Sequence, residues 1–312
     1  MTLLRAIELA RAASHRAYPK PTVGAVLVRD GETVGEGVTE PAGRHAEIVA
    51  LEQAGERARG ATMYVTLEPC AHHGTTPPCA DAIIAAGIGR VVFGSPDPNR
   101  LAAGGAERLR AAGVVAEDAG SWEARTLDEA WRTWVSLERP FVIYKTAMTL
   151  DGSLALPGER WVSGPAGRRY VHELRAQVDA VAVGGGTARA DLPRLDAREV
   201  PTPKGQPRRI AFSRGPLPDG VELELRTGAL ADELRSLADE GVQSLLLEGG
   251  PTLAAAFFRA DLVDKLLVFV APTLAGAGPR LAAPLPSSRT LSHLSARRIA
   301  GDVLLEAYVH QP

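Results

Sequence analysis

Short apolar runs alternate with helix-length amphipathic stretches along almost the whole chain. This alternation restricts it to α/β architectures built from strand–helix crossover units. Leu3, Leu4, Ile7 and Ala10 mark one face of an opening helix. Residues 23–28 read as a strand, and Asp30-Gly31 is a two-residue hairpin signal that returns the chain through residues 32–37. A helix over 45–54, a strand over 63–67, a helix over 79–86, a strand over 90–94 and a helix over 106–112 follow. A tryptophan-containing helical stretch, 121–137, leads to Arg139-Pro140, where the alternation restarts. Strands are expected over 141–145, 180–183, 209–212, 244–247, 265–270 and 303–309, with helices over 165–177, 230–239 and 251–259. The sheets should be at least partly parallel. A chain of 312 residues fits two domains at about 150 residues each, and the restart divides it into 1–138 and 139–312.

Composition narrows the function classes. A net charge of −2 gives no basic face for a phosphate backbone or an anionic membrane surface, so neither nucleic acid nor membrane is an expected partner. No apolar run reaches the roughly 18 residues of a membrane span, and the amino terminus lacks the apolar core of a signal peptide. Two cysteines in the whole chain make no disulfide framework and suit a reducing, cytoplasmic setting.

Those two cysteines, Cys70 and Cys79, each follow a proline, and His45-Ala46-Glu47 precedes them. One histidine and two cysteines can give three ligands to a tetrahedral zinc ion, leaving the fourth position open. Glu47, two residues after His45, is placed to carry a proton beside such a metal. Cys70 is expected to close a strand and Cys79 to open a helix, whose dipole favours thiolate. The residues alone also allow two buried structural thiols beside a surface histidine, or a closed zinc site with His72 or His73 as fourth ligand.

The arrangement resembles the zinc-dependent nucleobase deaminases, although eight residues separate the cysteines where the general signature has two. Leu67-Glu68-Pro69-Cys70, His72, Gly74 and Thr76-Pro77-Pro78-Cys79 resemble the deaminase half of the bifunctional riboflavin-biosynthesis deaminase/reductases. Pro19, Pro21, Val23-Gly24 and Asp97-Pro98-Asn99 fit the same pattern. The resemblance implies a cytidine-deaminase-like α/β/α domain with one zinc ion on His45, Cys70 and Cys79, and Glu47 as proton shuttle. The substrate implied is 2,5-diamino-6-(phosphoribosylamino)pyrimidin-4-one. Three positions depart from the pattern: Lys20 for asparagine, Thr75 for a basic residue, and Arg100 for proline. Lys20 is either a replacement cation or a solvated surface lysine.

In the second half, Glu248-Gly249-Gly250-Pro251 sits between a strand and a helix, where free N–H groups can meet a phosphate. Alone, this is as easily a turn. With Lys145, Leu150-Asp151-Gly152, Trp161-Val162-Ser163, Leu174-Arg175-Ala176, Thr187 and Asp191 before it, the stretch resembles the reductase half of the same family. That implies a dihydrofolate-reductase-like domain, NADPH, reduction of a ribosyl to a ribityl chain, and a homodimer formed through this domain. Ala147, Trp161, Thr187, Asp191, Arg214, Gly250, Pro251 and Thr252 fall at cofactor-contacting positions. Arg175, Leu195, Arg198 and Glu248 fall at substrate-contacting ones. Lys145 and Asp151 are either structural or functional. Leu192, Ser213 and a short segment between Arg198 and Glu248 depart from the pattern. They leave open a deaminase with a lapsed reductase half. A nucleic-acid deaminase with an unrelated second module, and a zinc-stapled interaction module, are the remaining rivals.

Overall fold

The computed structural model describes residues 2–41, 43–73, 77–276, 278–280 and 288–312. Gly74, Thr75 and Thr76, which belong to the expected cysteine loop, lie outside them. The chain divides into two compact units, Met1–Ser136 and Leu137–Pro312.

The first unit runs α1 (Thr2–Ala12), β1 (Gly24–Arg29), β2 (Glu32–Val38), α2 (Ala46–Ala54), β3 (Thr62–Val65), α3 (Cys79–Ala85), β4 (Arg90–Phe93), α4 (Gly105–Ala111), β5 (Val115–Asp118), α5 (Trp122–Arg125) and α6 (Glu129–Leu137). Its sheet has the order β2-β1-β3-β4-β5. The β1–β2 hairpin turns at Asp30-Gly31, and β1 pairs antiparallel with β3. From β3 to β5 the pairing is parallel. Ala25, Leu27, Met63, Val65, Ile83, Val91 and Leu109 form the core.

Helix α2 lies close against β2 because Gly35 and Gly37 carry no side chain. A Cβ on Gly37 would come within 2.2 Å of the Ala46 carbonyl oxygen, and one on Gly35 within 2.3 Å of the Ala50 oxygen. This approach fixes the amino-terminal end of α2, where His45 and Glu47 stand.

The second unit runs β6 (Phe141–Thr149), α7 (Pro165–Gln177), β7 (Ala180–Gly184), α8 (Gly185–Asp191), β8 (Arg208–Phe212), β9 (Glu224–Arg226), α9 (Leu230–Asp239), β10 (Ser244–Leu247), α10 (Pro251–Arg259), β11 (Lys265–Ala271), β12 (Ser292–Ile299) and β13 (Asp302–Tyr308). Its eight-stranded sheet has the order β12-β13-β11-β6-β10-β7-β8-β9. Strands β11 to β9 are parallel, and β13 and β12 close one edge antiparallel. Apolar residues cover both faces of the parallel part, as such sheets require. Tyr144, Leu245, Leu247, Phe257 and Leu234 cluster on one face, and Val181, Leu246, Leu267, Phe269 and Leu174 on the other.

Several local expectations are corrected. Strand β3 stops at Val65, so Cys70 lies in the following loop and does not close a strand. Leu4, read on the buried face of α1, is 59% exposed, and Ala6 faces inward instead. The 121–137 stretch is not one helix. A 3₁₀ turn, Thr126–Asp128, interrupts it, with the Thr126 hydroxyl donating to the Glu123 carbonyl. Helix α8, which Gly184 caps and Gly185 opens, and strands β9 and β12 were not expected.

Candidate active site

In the first unit the loops leaving the carboxyl ends of β3 and β4 meet the start of α2, at the side of a parallel sheet where ligands are commonly held. His45 is the N-cap of α2, and Cys79 is the first residue of α3. The His45 nitrogen and the two cysteine sulfurs all lie within 4.8 Å of one another. His45 Nδ1 is 3.1 Å from Cys79 Sγ and 3.6 Å from Cys70 Sγ. The Cys79 N–H donates to Cys70 Sγ at 3.3 Å. The hydrogen bond from the Cys79 thiol draws Cys70 down to about 4, against its own burial. The same contact, with burial, pushes Cys79 up. Two thiolates, an imidazole and a nearby carboxylate form a donor set that fits zinc, whose charge stabilises both sulfurs in deprotonated form.

Glu47 is buried in the first turn of α2, and burial raises its pKa above the usual carboxylate range. It faces a pocket of about 320 Å³ that His45 and Cys70 also line, together with Lys20, His72, Asp97, Asn99 and Trp131. Glu68 braces this pocket. One carboxylate oxygen accepts the Asp97 N–H at 3.2 Å, and the other accepts the Ala106 N–H at 2.9 Å. The loop after β3 is thereby tied to the loop after β4 and to α4. Burial pushes Asp97 up to about 6. Glu68, Asp97 and Asn99 stand in the sequence only as parts of a pattern, and Trp131 has no mark there; His72, the other candidate fourth ligand, lines the pocket but is outside the metal-ligating cluster among the described residues. His73 is exposed and is no member of the metal-ligating cluster among the described residues.

In the second unit Glu248 follows β10 and is gripped from two sides. Arg175 Nε donates to Oε1 at 2.6 Å and Nη2 to Oε2 at 3.0 Å, while Lys145 Nζ is 3.1 Å from Oε2. Burial alone would raise the pKa of this carboxyl, but Lys145 and Arg175 outweigh it and hold it at about 2. Arg175 also donates to the Asp196 carbonyl at 3.1 Å, which fixes the loop carrying Leu195 and Arg198. Leu195 is buried with φ +56. Arg198 is exposed and paired with Asp196, and its N–H donates to His172 Nδ1 at 3.2 Å.

Of the expected cofactor residues, Gly250 is the N-cap of α10, Pro251 opens that helix, and Thr252 follows, exposed. A Cβ on Gly250 would meet only Thr187 Oγ1, at 3.6 Å, so these two positions are neighbours. Asp191 ends α8, and Ala147 lies in β6 opposite Phe269. Trp161 is 54% exposed, with the Arg160 and Arg168 guanidinium groups 5.0 and 5.6 Å from its ring centroid. Arg214 is exposed beyond β8. Among the described residues no hydrogen bond joins Trp161 or Arg214 to the Glu248 cluster. Lys145 and His172 enter the site through side-chain contacts that sequence spacing does not reveal.

Comparison with known proteins gives matches over both units. Residues 2–95 match the cytidine and deoxycytidylate deaminase zinc-binding region, and residues 140–305 match the RibD C-terminal domain. The riboflavin biosynthesis protein RibD of Aquifex aeolicus (strain VF5) is 41% identical, covering 88% of this chain and 86% of its own. That of Mycobacterium tuberculosis (strain ATCC 25618 / H37Rv) is 43% identical, over 88% and 85%. Among solved structures, Acinetobacter baumannii RibD superposes with a TM-score of 0.84 at 33% identity, covering 98% of this chain and 97% of that one. The Thermotoga maritima diaminohydroxyphosphoribosylaminopyrimidine deaminase/5-amino-6-(5-phosphoribosylamino)uracil reductase superposes with a TM-score of 0.80 at 34% identity, over 98% and 97%. With identities of this order over nearly the whole chain and a matching region in each unit, the chain belongs to the RibD family of riboflavin-biosynthesis deaminase/reductases.

Proposed function

We propose that the first unit (residues 1–138) hydrolyses the amino group of 2,5-diamino-6-(5-phosphoribosylamino)pyrimidin-4-one. The second unit (139–312) then reduces the ribosyl chain of the product to ribityl. The observation that carries this reading is the His45–Cys70–Cys79 cluster beside buried Glu47 in one pocket. His45, Cys70 and Cys79 would hold one zinc ion per chain. When bound, zinc acidifies water to a pKa near 7 and so provides a nucleophile at neutral pH. Glu47 then takes the proton of the attacking water on its carboxylate and returns it to the departing amino nitrogen. The C–O bond forms first by addition of the water oxygen to the ring carbon; the C–N bond then breaks once the nitrogen carries the proton, and ammonia leaves. The raised pKa of Glu47 suits both halves of that transfer.

In the second unit NADPH supplies the hydride when bound. The amino-terminal end of α10, with Gly250, Pro251 and Thr252, offers backbone N–H groups to its phosphates. Thr187, Asp191, Ala147 and Trp161 border that end of the sheet in this reading, and Arg214 meets the 2′-phosphate. Glu248, held ionised by Arg175 and Lys145, accepts hydroxyl hydrogens of the sugar. Leu195 and Arg198 bound the sugar-phosphate side.

Ammonia release and NADPH oxidation, measured with the diaminopyrimidinone substrate, test both halves. The second reading, a deaminase with a lapsed reductase, draws on Leu192, held at φ +42, and on Ser213, whose hydroxyl donates to the Gly215 carbonyl at 2.9 Å. A stoichiometric NADPH titration separates the two. The reading also includes a homodimer through the second unit, no nucleic-acid partner and a reducing, cytoplasmic setting. The charge of −2 and two free thiols support the last two. Sedimentation of the intact protein checks the first.

A further inference from the structure

The pocket of the first unit has a charge problem to solve. The substrate class proposed above carries a phosphate, an anion at neutral pH, while Glu47, Glu68 and Asp97 all line the pocket. Phosphate approaching three carboxylates is repelled unless a cation stands between them. Among the described lining residues, Lys20 is the one lysine or arginine.

Its surroundings keep that charge available. Lys20 stands between Pro19 and Pro21, each with a fixed φ, and its N–H donates to the Ala17 carbonyl at 2.9 Å. Its ammonium reaches the loop between β2 and α2. A Cβ on Gly43 would lie 3.2 Å from Lys20 Nζ, and Gly43 has φ +89, a conformation that opposes any side chain. The glycine thus leaves room for the ammonium. Among the described residues no carboxylate pairs with Lys20. Arg44, on that same loop, is occupied by Glu40 and Glu52 at 2.8 and 2.7 Å. Lys20 is exposed and Glu47 is buried, so the pocket has a cationic mouth above an acid–base floor. His72 Nδ1, on the same pocket, is buried and without a hydrogen-bond partner among the described residues.

We propose that Lys20 binds the substrate phosphate and makes the first unit selective for phosphorylated pyrimidines over their dephosphorylated counterparts. This rests on the deaminase reading, and the test keeps the two apart. Ammonia release by the zinc-loaded full chain is measured with the phosphoribosylamino substrate and with its dephosphorylated form, for wild type, Lys20→Met and Lys20→Arg. A charge-assisted contact of this kind is worth about 10–100-fold. Lys20→Met should lose about that factor in kcat/KM on the phosphorylated substrate, chiefly through KM, and little on the dephosphorylated one. Lys20→Arg should restore most of the loss. Equal losses on both substrates, or none on the phosphorylated one, overturn the proposal. Calorimetric titration with ribose 5-phosphate gives a readout that needs no turnover: one binding site per chain should vanish in Lys20→Met, and an unchanged number of sites refutes the assignment. If wild type releases no ammonia from either substrate, the deaminase reading fails, and the titration still decides whether Lys20 holds a phosphate.

Discussion

Arg175 and Glu248 meet through two parallel hydrogen bonds, although 73 residues separate them in the chain. Lys145 completes the grip from β6. A carboxylate buried between two cations is stabilised by them only while it is ionised.

Stability of the second unit should therefore depend on acid in a stated direction. The folded pKa of Glu248 is about 2, below its ordinary 4.5. Its contribution is complete above pH 4.5 and is lost as pH falls towards 2. At about 1.36 kcal/mol per unit, the loss is roughly 3 kcal/mol. Thermal unfolding of wild type and Glu248→Gln between pH 7 and 3 checks this. Wild type should lose stability more steeply, and parallel curves would remove Glu248 from the account.

Cys79→Ser should strip most of the zinc from the protein, since it removes a thiolate from the 4.8 Å cluster. Ammonia release should vanish with the metal, while NADPH oxidation with the deaminated substrate continues. Elemental analysis showing full zinc in the folded variant would break the ligand assignment.

Glu47→Gln separates the metal from proton transfer. The amide keeps the shape but cannot carry the proton, a loss of about 10²–10⁴-fold in ammonia release. Zinc content and reductase activity should stay at wild-type levels. A near wild-type rate would take the proton shuttle away from Glu47.

Two adjacent glycines should behave differently when made valine. Gly250 has φ −66 and ψ 175, ordinary extended backbone, and open space apart from Thr187 Oγ1. Gly250→Val should fold normally and weaken NADPH by standing over the start of α10. Gly249→Val meets Leu253 Cδ2 at 2.9 Å and should cost stability, typically about 1–3 kcal/mol for overpacking. Arg214→Ala should weaken NADPH more than NADH. Calorimetry with both cofactors decides: normal NADPH binding by folded Gly250→Val would move the cofactor elsewhere.

The deaminase residues were legible because their chemistry is local. A histidine and a glutamate two residues apart, and cysteines behind prolines, carry their spacing wherever the fold sets them. The helices over Pro165–Gln177, Leu230–Asp239 and Pro251–Arg259 were equally plain, since each has a clear apolar face and a stop. Helix α8 was not, because it opens on two glycines behind a glycine cap, and glycine is a poor helix former. Strand β12 was missed because His293–Arg298 are all exposed on an edge strand, so no alternation survives. The links of Lys145, Arg175 and Glu248 were invisible for another reason: they come from β6, α7 and the end of β10, and only the pairing of β6 with β10 and the packing of α7 bring them together.

Glu68 has a chemical property that none of the pocket-lining residues above it need share. Both of its oxygens are committed to N–H groups, one on each of two segments. No neutral look-alike can take its place, because glutamine would turn one acceptor into a donor and set it against the Asp97 or Ala106 amide. Aspartate is a methylene too short to reach both. Residues at the rim can therefore drift towards new substrates over evolutionary time, while the brace beneath them admits no gradual change.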